Sequence, residues 1–494
     1  MSSFGSLNLG ARAIFAAQRG LDITGQNIAN SATPGYSRQR VDQVAVGGPT
    51  VPAIWAKYDQ TGGGVQVTGV SRMRDEFLEA RARTAHQTLG DLNETQKTYE
   101  AIERTISEPS NTGLKQRMAE FWGSWSTAGS DLKSEAPRNV VVERGKAVAD
   151  ELNRQAGTLE VQWNDTRTQF DANITDVNKA AADIAKLNRA IRNNVINGLP
   201  ANELADQRDL LVEKVTTLTG AVSERAEDGV VNVKLGGQYL VDGNKNWTLK
   251  STGAGDAVAF RTTAPDKIDV VWDKFYDNGE DITASLPSGV PAGTAMPAGS
   301  RSTMTAQRTA LNETLPKYLD KLDDIATTIA KTVNDTQADN YTVTGVKQDA
   351  AAPKLFVDAT TGNSLPTGAR AASKISFAGG PNDLALSTAD PATGAFNGDN
   401  AKTMSTKMSM PNGADDKLRG LVVTLGVEAA SIYRNQTAAA NVAKTADDAR
   451  DAVSGVSLNE EMTNLMKYQH SFQAAAKFIT AVDATIESLL NMTR

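Results

Sequence analysis

The side chains best suited to acid–base chemistry lie in one short segment, NELADQRD, at residues 202–209. Glu203, Asp206 and Asp209 could supply the paired carboxylates of a general acid and a general base. Arg208 stands among them, however, and charges of alternating sign along a predicted helix are typical of ion pairs and caps on a helix surface. We therefore interpret this segment as structural rather than catalytic.

The sequence lacks the residues of a thiol catalyst, a multi-histidine metal site and a phosphate-binding loop. The 494 residues include no cysteine, which rules out disulfides, thiol catalysis and cysteine-ligated metals. The two histidines, His86 and His470, are too few for a multi-histidine metal site within one subunit. The glycine run at 62–64 is not followed by the Lys-Ser/Thr pair of a phosphate-binding loop. We predict no catalytic residue, no cofactor and no metal site.

The charge and hydropathy of the chain narrow the function classes further. Asp plus Glu outnumber Lys plus Arg by 58 to 51, so the chain lacks the basic field that a general nucleic-acid binder needs. No run of 18 or more apolar residues occurs, and the first twenty residues lack the basic start and apolar stretch of a secretory signal. We expect about three domains that neither bind nucleic acid nor insert into a membrane.

The two ends of the chain show the clearest periodicity, and we expect them to direct packing and assembly. Near the N-terminus, large apolar residues recur every seven positions, at Leu7, Ile14, Leu21 and Ile28. A second column is mostly small or polar, with Phe4, Ala11, Gln18 and Gly25. Steps of three and four are the heptad pattern of paired helices. The sequence therefore predicts an N-terminal helix with one strong and one weak packing column.

The other end carries a matching pattern. Apolar side chains recur in steps of three and four at Leu465, Tyr468, Phe472, Ala475, Ile479, Val482, Ile486 and Leu489. This helix is predicted to begin near Ser457, whose hydroxyl would cap the first turn, with Glu460 completing a capping box. We expect the two terminal helices to pair with each other as a coiled coil, although each could instead pair with other subunits.

Between its ends the chain is predicted to be helical, with a β-rich insert. Residues 36–225 and 305–454 would form a mainly helical middle domain, a helical bundle. Residues 226–304, with alternating strands around a Gly-Gly turn, would form a small β domain that the core fold does not need. Residues 1–35 and 455–494 would form the terminal helical domain. The predicted fold class is mainly α with a β insert, in an elongated multidomain chain.

Three segments of the chain resemble the flagellar hook-associated protein 1 family. They are NIANSATPGYSRQ at 27–39, NELADQRD at 202–209, and SGVSLNEEMTNLMKYQHSFQAAAKFITAVDATIESLL at 454–490. The turn motif, which the family shares with rod and hook proteins, is carried here by Asn27, Asn30, Pro34, Gly35 and Tyr36. The continuation SRQ and the other two segments favour the junction protein. Ser457, Asn459 and the HSF sequence at 470–472 depart from the family pattern, although Phe472 keeps its position apolar.

The resemblance implies a non-enzymatic structural component of the bacterial flagellum. Such a component forms the first ring that joins hook to filament, and it templates the next junction protein. The two termini would fold together as the innermost axial layer, with the β insert on the outer surface. The implied partners are like subunits, the hook protein, the second junction protein (hook-associated protein 3) and a cytosolic export chaperone at the C-terminal helix. The implied location is the extracellular flagellum, reached by type III export without a cleaved signal peptide.

Two other functions stay open at this point. A hook protein or another axial rod or hook subunit would share the terminal motifs. The helical block from Arg72 to about residue 218 argues against a hook subunit, which is mostly β outside its terminal helices. A hydrolase carried in the β insert is the other alternative, although residues 226–304 contain neither histidine nor cysteine.

Overall fold

The structure, a computed structural model, describes residues 3–47, 63–262, 266–283, 301–349, 352–365 and 370–492. Long helices dominate these ranges. The α-helices are α1 (Ser3–Ala29), α2 (Glu76–Ile106), α3 (Leu114–Ser130), α4 (Glu135–Ile196), α5 (Asn202–Thr219), α6 (Ala257–Thr262), α7 (Thr303–Thr309), α8 (Leu315–Gln337), α9 (Ala371–Lys374), α10 (Asp399–Ser405), α11 (Ala414–Ser454) and α12 (Leu458–Met492). A π-helical turn, Ala310–Thr314, joins α7 to α8.

The strands are short and form antiparallel sheets. They are β1 (Gln39–Val46), β2 (Gly64–Arg72), β3 (Val222–Arg225), β4 (Val231–Leu235), β5 (Gln238–Asp242), β6 (Lys245–Thr252), β7 (Asp269–Asp277), β8 (Glu280–Asp281), β9 (Tyr341–Thr342), β10 (Phe356–Asp358), β11 (Ile375–Phe377) and β12 (Ala385–Ser387). Strands β3 to β8 make one six-stranded sheet in sequence order. β1 pairs with β2, β10 with β11, and β9 with β12.

The helix α4 is the spine of the fold. Its 62 residues extend about 90 Å at 1.5 Å per residue. Apolar side chains recur along it at seven-residue intervals, and each is at most 3% exposed: Trp163, Phe170, Val177, Ile184 and Ile191. This regular stripe explains why the chain folds as one long helix here, because it places a continuous apolar face against the neighbouring elements. The predicted elongated, mainly helical fold with a β region is confirmed.

Aromatic side chains fill the core where α3 meets the strands β10 and β11. Phe121 packs against Phe356 and Trp122, with ring centroids 5.8 and 5.0 Å apart. Phe356 and Phe377 meet edge to face at 5.0 Å. Trp122 and Trp125 are at most 2% exposed. These aromatics are core anchors, as predicted, because large rings bury the most apolar area per residue.

The six-stranded sheet does not stand apart from the helices. Val233, Leu240 and Trp247 of the sheet belong to the same buried cluster as the α4 spine. Asn178 of α4 also binds the sheet through two hydrogen bonds. Its Oδ1 accepts from the Leu249 amide (2.7 Å) and its Nδ2 donates to the Leu249 carbonyl (2.8 Å).

The sheet is therefore not a separate domain, because it shares its core with α4. That the core fold does not need residues 226–304 stays a prediction. An isolated sheet needs a covered apolar face, and here α4 covers it. The strands also begin four residues earlier than predicted, with β3 at Val222. Residues 284–300 of the predicted insert lie outside the described residues.

The last two long helices, α11 and α12, pack along helices from the start of the chain. Alpha-helix α11 packs along α2 through a cluster of small residues, Ala82, Ala85, Ala443 and Ala446. After Gly455, α12 begins at Leu458 and packs along α1. The Glu460 amide lies 3.5 Å from the Ser457 hydroxyl, a long contact at the predicted cap position. The carboxylate of Glu460 accepts a hydrogen bond from Arg38 and is thus used in a tertiary contact.

Candidate functional site at the junction of the chain ends with the helical domain

The terminal helices α1 and α12 form an antiparallel pair, here called the terminal pair. The contacts match Gly10 with Ile479, Gly20 with Tyr468, and residue 27 with residue 461. A Cβ atom built on Gly20 would lie 2.5 Å from two carbons of the Tyr468 ring, and one on Gly10 would lie 2.6 Å from Ile479 Cγ1. Glycine at both positions therefore leaves the partner side chain the space that a Cβ would occupy.

The face of α1 that packs in this pair differs from the face that the heptad predicts. The buried residues are Gly10, Ala16, Ala17, Gly20, Ile23, Thr24 and Asn27. Of the predicted column, Leu7 is 38% exposed, and Ile14, Leu21 and Ile28 are only partly buried. The side chain of Phe4 lies outside the described part of the chain. The large side chains Tyr468 and Ile479 of α12 fit against Gly20 and Gly10, so the most buried face of α1 consists mainly of small residues. That Leu7, Ile14, Leu21 and Ile28 direct assembly stays a prediction.

Two of the predicted positions on α12, Tyr468 and Ile479, contact glycines of the partner helix. Leu465, Tyr468, Phe472, Ile479, Val482 and Ile486 are partly buried, and Ala475 is 8% exposed, whereas Leu489 is 57% exposed. Only Glu461 and Ala475 are fully buried among the described residues of this helix. Large apolar side chains elsewhere on it face solvent, namely Leu458, Met462, Met466, Phe478, Leu490 and Met492. The helix is thus covered on one side alone.

Asn27 joins the terminal pair to the rest of the molecule. Its Oδ1 accepts hydrogen bonds from the Tyr36 hydroxyl (2.8 Å) and the Gln39 backbone amide (3.0 Å). Its Nδ2 donates to the Gln39 carbonyl (2.9 Å) and to Glu461 Oε2 (3.2 Å). The side chain is 1% exposed, and these four bonds use its full capacity. It therefore connects α1, the following turn, β1 and α12.

The turn that follows α1 needs the residues of its motif for different reasons. Gly35 has φ of +75°, and a Cβ there would lie 2.4 Å from Leu210 Cγ. Asn30 donates to the Gln26 carbonyl (3.0 Å) and accepts from the Thr33 hydroxyl (3.2 Å), which closes the turn. Pro34 lies exposed at its tip, where a fixed φ suits a turn.

The Tyr36 hydroxyl remains protonated in this setting. Burial, together with the nearby carboxylates of Asp206, Glu203 and Glu461, raises the pKa of Tyr36 to about 12. A neutral phenol can donate to Asn27 Oδ1, and the carboxylates around it oppose its ionisation.

Two of the acidic residues of 202–209 lie in the same place with buried side chains, Asp206 and Asp209, whereas Glu203 is exposed. Asp206 is 6% exposed and accepts from the Ser37 hydroxyl (2.7 Å) and amide (3.1 Å). Arg72 bridges Asp206 Oδ1 (2.8 Å) and Asp209 Oδ2 (2.9 Å). For Asp206 and Asp209 the interpretation as surface ion pairs was wrong, because both side chains are buried and both bind side chains more than 130 positions away.

The pKa shifts of Asp209 and Glu203 favour ionised carboxylates that hold structural contacts, and they do not favour proton transfer. Burial alone would raise the pKa of Asp209, but Arg208, Arg72 and Arg74 outweigh it and hold that pKa below its ordinary value. A general acid at neutral pH needs the opposite shift. Glu203 behaves similarly: burial opposes its charge, but hydrogen bonds from its own amide, Gln39 and Gln26 keep its pKa low.

Arg38 completes the site from the side of α12. Its Nε donates to Glu461 Oε1 (2.8 Å), its Nη1 donates to Glu460, and its backbone amide donates to the Ser454 carbonyl (2.9 Å). All three segments that resemble a flagellar family thus meet here. We call this set the polar hub; its members are Asn27, Tyr36, Ser37, Arg38, Gln39, Arg72, Glu203, Asp206, Asp209 and Glu461.

The sequence pattern did not reveal several residues of the hub and of the terminal pair. Arg72 carries no local signal, and the segment that contains Glu461 does not indicate its partners, because the partners of both residues are far away in the chain. Gly10 and Gly20 did leave a signal: small residues recur at 10, 13, 17, 20 and 24, in steps of three and four. That stripe is visible only when small residues are counted as packing residues.

Among the described residues, no group of three or more His, Asp or Glu side chains is arranged to hold a metal ion. His86 lies 3.0 Å from both carboxylate oxygens of Asp447, and His470 is exposed on α12. No helix in the described ranges combines the length and the apolar character that crossing a membrane requires.

Comparison with known proteins relates the chain to flagellar proteins. A family model described as the helical domain of flagellar hook-associated protein FlgK matches residues 99–351, just over half of the chain. Another, described as the C-terminal region of the flagellar basal body rod proteins FlgEFG, matches residues 449–492. The first of these spans the six-stranded sheet, in agreement with the core that the sheet shares with α4.

Full-length relatives and a solved structure agree with these matches. Flagellar hook-associated protein 1 of Bacillus subtilis (strain 168) is 28% identical, with 99% of this chain and 98% of that protein aligned. The protein of the same name from Salmonella typhimurium is 23% identical over 97% of this chain and 98% of its own length. The structure of the flagellar hook junction protein FlgK from Burkholderia pseudomallei shares the fold, with a TM-score of 0.59 at 14% identity over 77% of this chain and 100% of that one.

Proposed function

The chain belongs to the flagellar hook-associated protein FlgK family, and from this premise we propose how it acts as a structural component of the hook–filament junction. The terminal pair forms the assembling part of the subunit, and the polar hub holds that pair on the helical domain. Like subunits form a ring that rests on the hook, and the same ring templates the second junction protein, hook-associated protein 3.

One observation supports this proposal above the others: the terminal pair is covered on one side alone. Phe15 of α1 is 68% exposed, and Met462, Met466 and Leu490 of α12 are each more than 50% exposed. Exposed apolar side chains concentrated on one element are typical of a protein interface. Neighbouring subunits would bury these side chains and supply the contacts that a single pair of helices lacks.

The proposed contacts with hook and junction proteins rest on shared terminal helices. Residues 449–492 match a region that the basal body rod proteins FlgEFG also carry. Helices of one kind in successive rings could pack in a continuous inner layer, in which Leu7, Ile14, Leu21 and Ile28 would meet neighbouring helices. We assign the large residues of α1 to these contacts because the small ones already pack against α12.

The proposal includes export and storage of the subunit before assembly. The exposed apolar side chains of α12 would require cover in the cytosol, which a chaperone bound to that helix would provide. The subunit would then leave the cell by the flagellar type III route, without a cleaved signal, and reside in the extracellular flagellum.

The other functions have less support. A hook subunit is disfavoured because just over half of the chain matches the helical domain of FlgK. A hydrolase in the β region is disfavoured because the sheet uses its apolar face to pack on α4 and shares that core. We propose that the chain has no catalytic role.

Electron microscopy of a strain lacking this chain tests the proposal. We expect bare hooks of normal length, with filament subunits released into the medium, and restored filaments on complementation. A strain without hooks would point to a rod or hook role. Normal filaments in the deletion strain would contradict any role at the junction.

A further inference from the structure

We propose that the carboxylate of Glu461 couples the two ends of the chain, so that α1 and α12 stay paired with each other only while both are held at the polar hub. Glu461 is 1% exposed, although nearly all other side chains of α12 remain in contact with solvent. It lies in the first turn of the helix, at the point where α12 meets the polar hub. A buried charge at such a position needs partners, because burial of an unpaired carboxylate is costly.

The partners of Glu461 come from the N-terminal segment. Asn27 Nδ2 donates to Oε2 (3.2 Å), and the Nε and Nη2 atoms of Arg38 each lie 2.8 Å from Oε1. If α1 and its turn detach, Glu461 loses this set of donors. If α12 detaches, the Arg38 guanidinium, 16% exposed, loses its buried partner. Each end therefore stabilises the other through one carboxylate.

The same contacts pass the coupling on to the helical domain. Asn27 holds Tyr36 and the backbone of Gln39, and the neighbouring Ser37 bonds Asp206 of α5. A change at Glu461 is thus expected to loosen the N-terminal turn as well as α12. Hydrogen-bonded networks of this kind respond as units, since their members are not independent.

Glu460 provides a natural control within the same turn. Its carboxylate also binds Arg38, but the Glu460 side chain is 62% exposed, so water can replace its contact. Replacing Glu460 by Gln removes an exposed ion pair, whereas replacing Glu461 by Gln removes a buried one. The two substitutions make the same Glu→Gln change, and Glu461 differs from Glu460 in its burial and in its additional hydrogen bond from Asn27.

Disulfide trapping in the full-length chain measures the docked state. The chain has no cysteine, so Gly10→Cys with Ile479→Cys introduces a single pair. A Cβ at position 10 lies 2.6 Å from Ile479 Cγ1, which places the two new sulfur atoms within reach of each other. This pair lies eighteen residues along α12 from Glu461, and the rate of disulfide formation reports how often the ends are docked.

Glu461→Gln is expected to slow disulfide formation by about tenfold or more, because hydrogen bonds to buried charges are worth that much. Glu460→Gln is expected to change the rate less than twofold. Asn27→Ala should slow it too, and the double variant Asn27→Ala with Glu461→Gln should be little slower than either single variant. The melting of the helical domain, followed by circular dichroism, should be unchanged in all of them.

Several results would overturn the coupling. An unchanged rate in Glu461→Gln would mean that the far end of α12 docks independently of the hub. Equal slowing by Glu460→Gln would mean that burial does not matter. Strictly additive effects of Asn27→Ala and Glu461→Gln would show two independent contacts. If the whole Glu461→Gln protein melted at a lower temperature, a general loss of stability would explain the slower disulfide formation, and the coupling would be rejected.

Discussion

The ring of Tyr468 lies directly over Gly20, so close that a methyl group at residue 20 would come within 2.5 Å of the ring carbons. This contact brings the axes of α1 and α12 near each other at the middle of the terminal pair. Gly25, five residues later on the same helix, has no neighbouring atom within 4 Å of a built Cβ. The two glycines therefore have different consequences for the same substitution.

Gly20→Ala is expected to loosen the terminal pair, and Gly25→Ala to tighten it slightly. Alanine gains roughly 1 kcal/mol over glycine in a helix interior, but overpacking costs about 1–3 kcal/mol, and only residue 20 is crowded. Trypsin cleavage after Arg19 and Lys467 in the native protein measures the opening of the pair. Faster cleavage in both variants, or in neither, would contradict the assignment of Gly20 to the contact.

Phe472→Asp is expected to abolish filament assembly while the subunit remains soluble. Phe472 lies on the partly buried face of α12, and a carboxylate buried there costs several kcal/mol without a partner. The neighbouring Gln473 is exposed, so Gln473→Asp adds the same charge outside the seam. Motility and electron microscopy should show bare hooks for the first variant and filaments for the second. Filaments in Phe472→Asp cells would remove this seam from the assembly mechanism.

Leu240→Ala is expected to destabilise the helical domain as a whole and not the sheet alone. Leu240 is 0% exposed and belongs to the cluster that the sheet shares with α4, so the cavity should cost about 2–5 kcal/mol. Val222→Ala, at a position 63% exposed in β3, should change stability by less than about 0.5 kcal/mol. Thermal unfolding followed by helical circular dichroism measures both. A Leu240→Ala protein whose helices melt at the normal temperature would restore the separate-domain interpretation.

Asp209→Asn is expected to destabilise the protein at neutral pH by an amount that disappears in acid. The pKa of Asp209 lies below its ordinary value of 3.8, because three arginines outweigh the effect of burial. Its contribution to the free energy of unfolding is therefore full above pH 3.8 and is lost as the pH falls through the lower folded-state pKa.

Urea unfolding of the wild-type and Asp209→Asn proteins between pH 7 and pH 3 measures this difference, which should be about 3 kcal/mol at pH 7. Asp448→Asn serves as the control, since the Asp448 side chain is 66% exposed and pairs with Lys444 on the same helix. If the difference in free energy of unfolding stayed constant down to pH 3, the charge of Asp209 would not contribute to the stability of the hub.

Local sequence patterns were sufficient to predict the long helices and the turn after α1. The heptad steps of α12 and the seven-residue apolar stripe of α4 determine long helices and the side that each one buries, because side-chain direction in a helix follows from spacing alone. The capping position of Ser457 and the turn at Gly35 follow from equally local chemistry. The absence of cysteine excludes disulfides, thiol catalysis and cysteine-ligated metals, and this follows from composition alone.

The tertiary structure decided which faces and which charges meet. Residue 27 cannot be assigned to residue 461 from spacing, because 434 positions separate them and any buried cation or amide could satisfy a buried carboxylate. The buried face of α1 depends on how closely α12 approaches it. Tyr468 and Ile479 of α12 lie where Gly20 and Gly10 leave room for large side chains. The sheet joined the helical core for the same reason, since an apolar face is buried by whichever surface lies near enough to cover it.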